Sequence, residues 1–127
     1  MDTASGVNNE DPFVFFNPSS GGSWHIINHQ QSKGNVCGSP TAGHACGAHW
    51  FARDAHGPWR MSPEPAYTPE VQLTNGSTAV YQTRQRPQIV FDPADGVTPT
   101  YLFNGGSFEG NNPDLNMLTH TFAQRFR

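Results

Sequence analysis

Hydrophobic and polar residues along this chain group into short stretches and never sustain a helical period. Phe13, Val14, Phe15 and Phe16 form a continuous apolar run, the pattern of a strand covered on both faces. A cluster of Asn, Pro, Ser and Gly over residues 17–23 then reverses the chain. Residues 24–29 resume the extended pattern, so the two runs read as a β-hairpin. Residues 30–43 carry no period and read as a long loop. A third strand is predicted over residues 44–53, with His49 and Trp50 near its middle, and residues 59–61 return as a short fourth.

Further on, three prolines make residues 62–69 an extended connector. Residues 70–74 and 77–83 flank Asn75-Gly76, which predicts a hairpin closed by a two-residue type I′ turn. Residues 88–91 and 100–103 are expected to pair across a turn at 92–98. Residues 118–126 fit both periods. Leu118, Phe122 and Phe126 lie on one helical stripe, whereas His120, Phe122, Gln124 and Phe126 share one face of a strand. Thr119, Thr121 and the aromatics favour the strand. The expected fold class is all-β, an antiparallel meander without helix, preceded by a flexible segment over residues 1–9.

Composition narrows the classes of function. The chain has 127 residues, the length of one domain. Its 13 glycines and 11 prolines punctuate it too often for a helical bundle. Only 13% of residues are charged, the net charge is −3, and Lys33 is the single lysine. No basic surface for nucleic acid or anionic lipid is therefore expected. No apolar run approaches the roughly 18 residues that cross a bilayer, and nothing after Met1 has the pattern of a signal peptide.

Cys37 and Cys46 are the only cysteines. A disulfide closing so short a loop contributes about 2–3 kcal/mol in an oxidising compartment. Two separate buried thiols are the alternative reading. His44 and His49 flank Cys46, but their spacing matches no zinc pattern, so no metal site is assigned. Asn75-Gly76-Ser77 is an acceptor sequon for N-glycosylation. Disulfide and sequon favour secretion, in which case this chain would be a processed or trimmed one.

Several motifs carry a family resemblance. Residues 52–59, Ala-Arg-Asp-Ala-His-Gly-Pro-Trp, look like a degenerate Asp-box, a hairpin in which an aspartate accepts backbone N–H bonds. Ala52 stands where Ser or Thr is usual and one extra residue precedes Gly57, so Asp54 reads as a turn former and Trp59 as packing between blades. In order around it stand Glu10-Asp11-Pro12-Phe13, Trp24-His25 through His29, Arg84-Gln85-Arg86-Pro87, and Pro99 through Gly105. This succession resembles the C-terminal half of a five-bladed β-propeller of the glycoside hydrolase family 43 type, in particular its secreted relatives. The resemblance spans nearly the whole chain. It implies a partial propeller over residues 10–127, with one blade over about 10–61 and one to two more over about 70–127.

The resemblance also implies chemistry. That family gathers three carboxylates at the mouth of a central channel, and inverting hydrolysis needs acid and base roughly 6.5–9.5 Å apart. Asp11 before Pro12 matches the family's Asp-Pro position, with Glu10 beside it, so these two are the candidate catalytic residues. Gln85 falls where relatives look to carry the glutamic acid, and an amide has no proton to give. No base is evident before Asp11 except Asp2. His25, His29, His49, Trp50, Arg84, Gln85 and Arg86 are candidate sugar-binding residues. Trp24 and Trp59 offer further aromatic faces. By strand alternation Arg84 and Arg86 should point opposite to Gln85, either to bind a carboxylated sugar or to pair with Glu10 and Asp11. The resemblance requires no cofactor, although it admits a channel-bound calcium ion.

The expectation is a carbohydrate-binding or structural module without turnover; the alternative is a glycoside hydrolase working through Glu10 and Asp11. A blade takes ~40–50 residues and a closed ring about four blades or more, so a chain of 127 residues supplies two to three. Open edges must be covered. A homo-oligomer, or association with a missing propeller half, is expected.

Overall fold

The computed structural model describes residues 8–31, 37, 45–108 and 120–126. Their fold is all-β and antiparallel throughout, and no α-helix occurs among them. Strands β1 (Asn8–Asn17), β2 (Ser23–Gln31), β3 (Cys46–Ala52) and β4 (Arg60–Met61) form one sheet in chain order. Strands β5 (Glu70–Gln72) and β6 (Thr78–Val80) form a small hairpin. Strands β7 (Thr83–Phe91), β8 (Pro99–Ser107) and β9 (His120–Arg125) form a third sheet, again in chain order. The ambiguous segment near the C-terminus is thus a strand where it is described. Asn8 and Asn9 belong to β1, opposite Gln31 and Gln30, so strand begins inside the segment expected to be flexible; residues 1–7 lie outside the described residues.

The Asn75-Gly76 hairpin forms with a different turn. Leu73 and Ser77 close it through a backbone bond of 2.8 Å, and the Gly76 N–H donates to Leu73 O at 3.0 Å. Gly76 alone takes a positive φ, 84°. The loop therefore has three residues and ends in a left-handed glycine, not the two left-handed residues of type I′. Asn75 Oδ1 accepts from the Ser77 N–H and hydroxyl, a side-chain turn that competes with type I′. The second arm also stops at Val80, short of residue 83, and Thr83 opens β7 instead.

Two of the sheets repeat one another. Residues 10–21 begin Glu-Asp-Pro, run through an apolar stretch and reach Asn-Pro and then Gly21; residues 85–96 begin Gln-Arg-Pro and reach Asp-Pro and then Gly96. The register slips at the same place in both, between Glu10 and Phe13 in β1 and between Gln85 and Gln88 in β7. Asp11 and Arg86, each preceding proline, both hold φ at +52°. Such values are uncommon outside glycine, and a following proline favours extended backbone. A β-bulge absorbs the extra residue and bends the strand. The second strands of the two units then each bury an asparagine, Asn28 and Asn104, at 1% exposure.

Strand β7 packs against β1, β2 and β3. Ile27, Tyr67 and Leu102 form the buried apolar cluster, with Phe13, Ala66 and Ile89 against it. The bulkiest fully buried side chains, however, are polar: Arg84, His29, Gln30, Asn28 and Asn104. Apolar residues meanwhile face outward, among them Val14, Phe16, Val90 and Tyr101. The connector after β4 is tied down by Gly47, whose N–H donates to Tyr67 O at 3.0 Å and whose carbonyl accepts from Ala66 N at 2.7 Å. A Cβ at Gly47 would overlap the Tyr67 ring. Cys37 and Cys46 form a disulfide, with Cα atoms 6.2 Å apart. His44 lies outside the described residues.

Candidate functional site

The two bulges place most of the candidate residues. At the first, Glu10 stands opposite His29 across β1 and β2, and the kink turns Asp11 toward them. One ligand atom from each of Glu10, Asp11 and His29 lies within 4.8 Å of the others. His29 is fully buried, Glu10 half-buried and Asp11 exposed. These residues could hold a cation. Two carboxylates and an imidazole suit a transition metal better than calcium, which prefers an all-oxygen shell.

At the second bulge the equivalent positions carry Gln85 and Arg86. Strand alternation predicts that these point to opposite faces, yet both line one cleft of about 540 Å³, together with Gln88, Phe103, Asn104 and His120. The physical reason is the bulge: the extra residue breaks the period of two. Arg84 does not share that face. It is buried at 1% exposure, and its guanidinium donates to Asn104 Oδ1 (2.9 Å), Thr68 O (2.7 Å) and Gln124 Oε1 (2.6 Å). It also sits over the rings of Tyr67 and Phe122, 4.7 and 5.3 Å from their centres. Its acceptors are neutral, so it does not pair with Glu10 or Asp11. Burial pulls its pKa down to about 10, against the opposing influence of Tyr67 and Tyr81. The phenol of Tyr67 is pushed up by burial and further by Asp11, against Arg84. It therefore stays protonated.

The remaining candidates group elsewhere on the first sheet. Trp50 donates its indole N–H to Asn28 Oδ1 at 2.9 Å. His25 and His49 meet diagonally across β2 and β3, with His25 Nδ1 2.8 Å from His49 Nε2. The hydroxyl of Ser23 lies 2.7 Å from His25 Nε2. Burial lowers the pKa of both imidazoles, and His25 lowers that of His49 further. Asp54 forms the expected turn, its Oδ1 accepting from the His56 N–H at 2.8 Å. Trp59 is half-buried. Asn75 sits exposed on its turn.

Compared with known proteins, the chain matches no family model, no curated protein and no solved structure. The site therefore stands on its own geometry. Asn104 and His120, at the second bulge, and Ser23, beside His25 on the first sheet, carry no motif in the sequence. Asn104 could have been found from the repeat, which sets it beside Asn28. Ser23 could have been found from the period of two that it shares with His25.

Proposed function

We propose that this protein is a carbohydrate-binding module built from blades of an incomplete β-propeller, holding sugar without turning it over. The cleft at the second bulge carries this reading. Gln85, Arg86 and Gln88 offer planar amides and a guanidinium, and Phe103 and His120 offer ring surfaces beside them. Planar polar groups bond adjacent hydroxyls in pairs, while rings cover the apolar C–H face of a pyranose. Two features support the absence of inverting turnover. Gln85, in the place that Glu10 occupies in the first unit, cannot transfer a proton. The nearest oxygens of Glu10 and Asp11 lie within 4.8 Å, closer than the roughly 6.5–9.5 Å that admits water between an inverting acid and base.

Secretion is part of the proposal, supported by the disulfide. So is self-association, supported by the outward Val14, Phe16, Val90 and Tyr101. No described helix is long and apolar enough to cross a membrane. The second reading, a glycoside hydrolase, draws on the gathering of Glu10, Asp11 and His29 at a kinked strand.

Calorimetry with arabinan, xylan and agar oligosaccharides tests the proposal. One of these should bind, and Arg86→Ala should weaken it about tenfold or more. A Glu10→Gln, Asp11→Asn double variant should leave that affinity unchanged. Release of reducing sugar by the parent chain, abolished in the double variant, would decide for the hydrolase. No binding to any of them would sink both.

A further inference from the structure

A second constellation lies at the turn end of the first sheet, where β2 begins. Ser23 and His25 are two residues apart in β2 and so share one face. The Ser23 hydroxyl is 2.7 Å from His25 Nε2, and His25 Nδ1 is 2.8 Å from His49 Nε2. The planes of the two imidazoles differ by 13° and their centres lie 5.1 Å apart, the arrangement of rings joined edge to edge by one hydrogen bond. Two opposite orders of protons satisfy both bonds, and one of them leaves Ser23 the donor. In that order Ser23 donates to His25 Nε2, His25 Nδ1–H donates to His49 Nε2, and His49 carries its own proton on Nδ1. A nucleophile, a base and a group that orients the base thus stand in line. Lowered pKa values keep both imidazoles neutral at pH 7, so His25 can accept a proton.

The rings are held from both ends. Phe15 lies 5.0 Å from His25 with planes 11° apart, and Phe51 lies 6.0 Å from His49. Phe91 of the other sheet packs on Phe15 at 5.3 Å. Such packing limits the rotamers of the pair, as a catalytic base requires.

Ser23 opens onto a cleft of about 540 Å³ that is separate from the sugar cleft, and Phe51 and Pro58 give it apolar wall. Arg53, Arg60 and Asp54 are its charged residues. The Nη1 of Arg53 lies against Gly21, two residues before Ser23, where an added Cβ would sit 3.3 Å from it. Two guanidinium groups against one carboxylate leave the cleft positive on balance. A cleft with apolar wall and such a balance of charge fits a small ligand that carries a negative charge.

We propose that Ser23, His25 and His49 form an acyl-transfer site for small carboxylic esters bearing an anionic group. Ser23 Oγ bonds to the acyl carbon while its proton passes to His25 Nε2. The imidazolium returns that proton to the departing alkoxide, which leaves as an alcohol, and the acyl group remains on Ser23. Water then gives a proton to His25 Nε2 and attacks the acyl carbon. The carboxylic acid leaves as Ser23 Oγ takes the proton back. His49 is a positioning residue that holds His25 in the tautomer this sequence needs.

Labelling with a fluorophosphonate probe, read by peptide mass spectrometry, tests the nucleophile. Turnover of p-nitrophenyl acetate against the p-nitrophenyl monoester of succinic acid tests the substrate class. The probe should modify Ser23 in the folded chain, and the succinate ester should turn over faster than the acetate. Ser23→Ala and His25→Gln should each lower turnover about 100-fold or more. His49→Leu should lower it similarly, whereas His49→Gln, whose amide oxygen can accept the same bond, should recover most of it. Arg53→Ala should abolish the preference for succinate over acetate. Thermal melting of each variant separates loss of chemistry from loss of fold. Absence of labelling at Ser23 in the folded parent, or turnover that survives Ser23→Ala, overturns the site.

Discussion

At the scale of single residues, this protein places its polar side chains inside. Arg84 is buried whole and meets only neutral acceptors and ring faces. A buried cation costs several kcal/mol unless its hydrogen bonds are met, and here three are. The histidine pair makes a testable case of the same trade. Burial lowers the pKa of His25 and His49 from 6.5. The unfolded chain therefore binds more protons than the folded one between the lowered values and 6.5. Stability from this source is complete above about pH 6.5 and is lost as the pH falls through the folded values. Urea midpoints should drop between pH 7.5 and pH 5.5, and a His25→Gln, His49→Gln double variant should show a smaller drop. An equal drop in that variant would remove these histidines from the account.

Among the elements, bulges and close approaches decide where side chains point. In β7 the bulge at Arg86 sets Gln85 and Arg86 on one cleft, where simple alternation would separate them. In β3 the absence of a side chain at Gly47 lets Tyr67 lie flat on the strand and lets the connector pair with it. Gly47→Ala drives a methyl into that ring, and overpacking of this kind costs about 1–3 kcal/mol. Thermal melting should show a loss of several degrees. Gly76→Ala, with open space around it, should cost less, through its positive φ alone. Equal losses at the two glycines would mean that the ring contact is not what Gly47 protects.

For the whole molecule, large polar side chains are buried while apolar residues show outside. Val14 and Phe16 alternate along β1 with Phe13 and Phe15, which turn inward; Val90 and Tyr101 do likewise on β7 and β8. A face of this kind gains stability when covered. Light scattering after gel filtration should therefore give a multiple of 13.9 kDa. A Val14→Lys, Val90→Lys variant should shift the mass toward one chain. A monodisperse single chain from the parent would end the assembly proposal and weaken the open-propeller one with it.

How much of this was legible beforehand differs by feature. Phe13 through Phe16, Asn75-Gly76, and the threonines and aromatics at the C-terminal end dictate strands and turns through local preference, and the all-β meander follows from them. Cys37 and Cys46, close along the chain, admit the disulfide that forms. The repeat of Glu-Asp-Pro and Gln-Arg-Pro is likewise written in the sequence. Tertiary structure alone decided the rest. The left-handed backbone at Asp11 and Arg86 redirects side chains against the strand period. Only the pairing of β1 with β2 brings Glu10 onto His29, and only that of β2 with β3 brings His25 onto His49. Local preference is a property of neighbours in sequence, whereas a site is a property of neighbours in space, set by register and by one bulged residue in each unit.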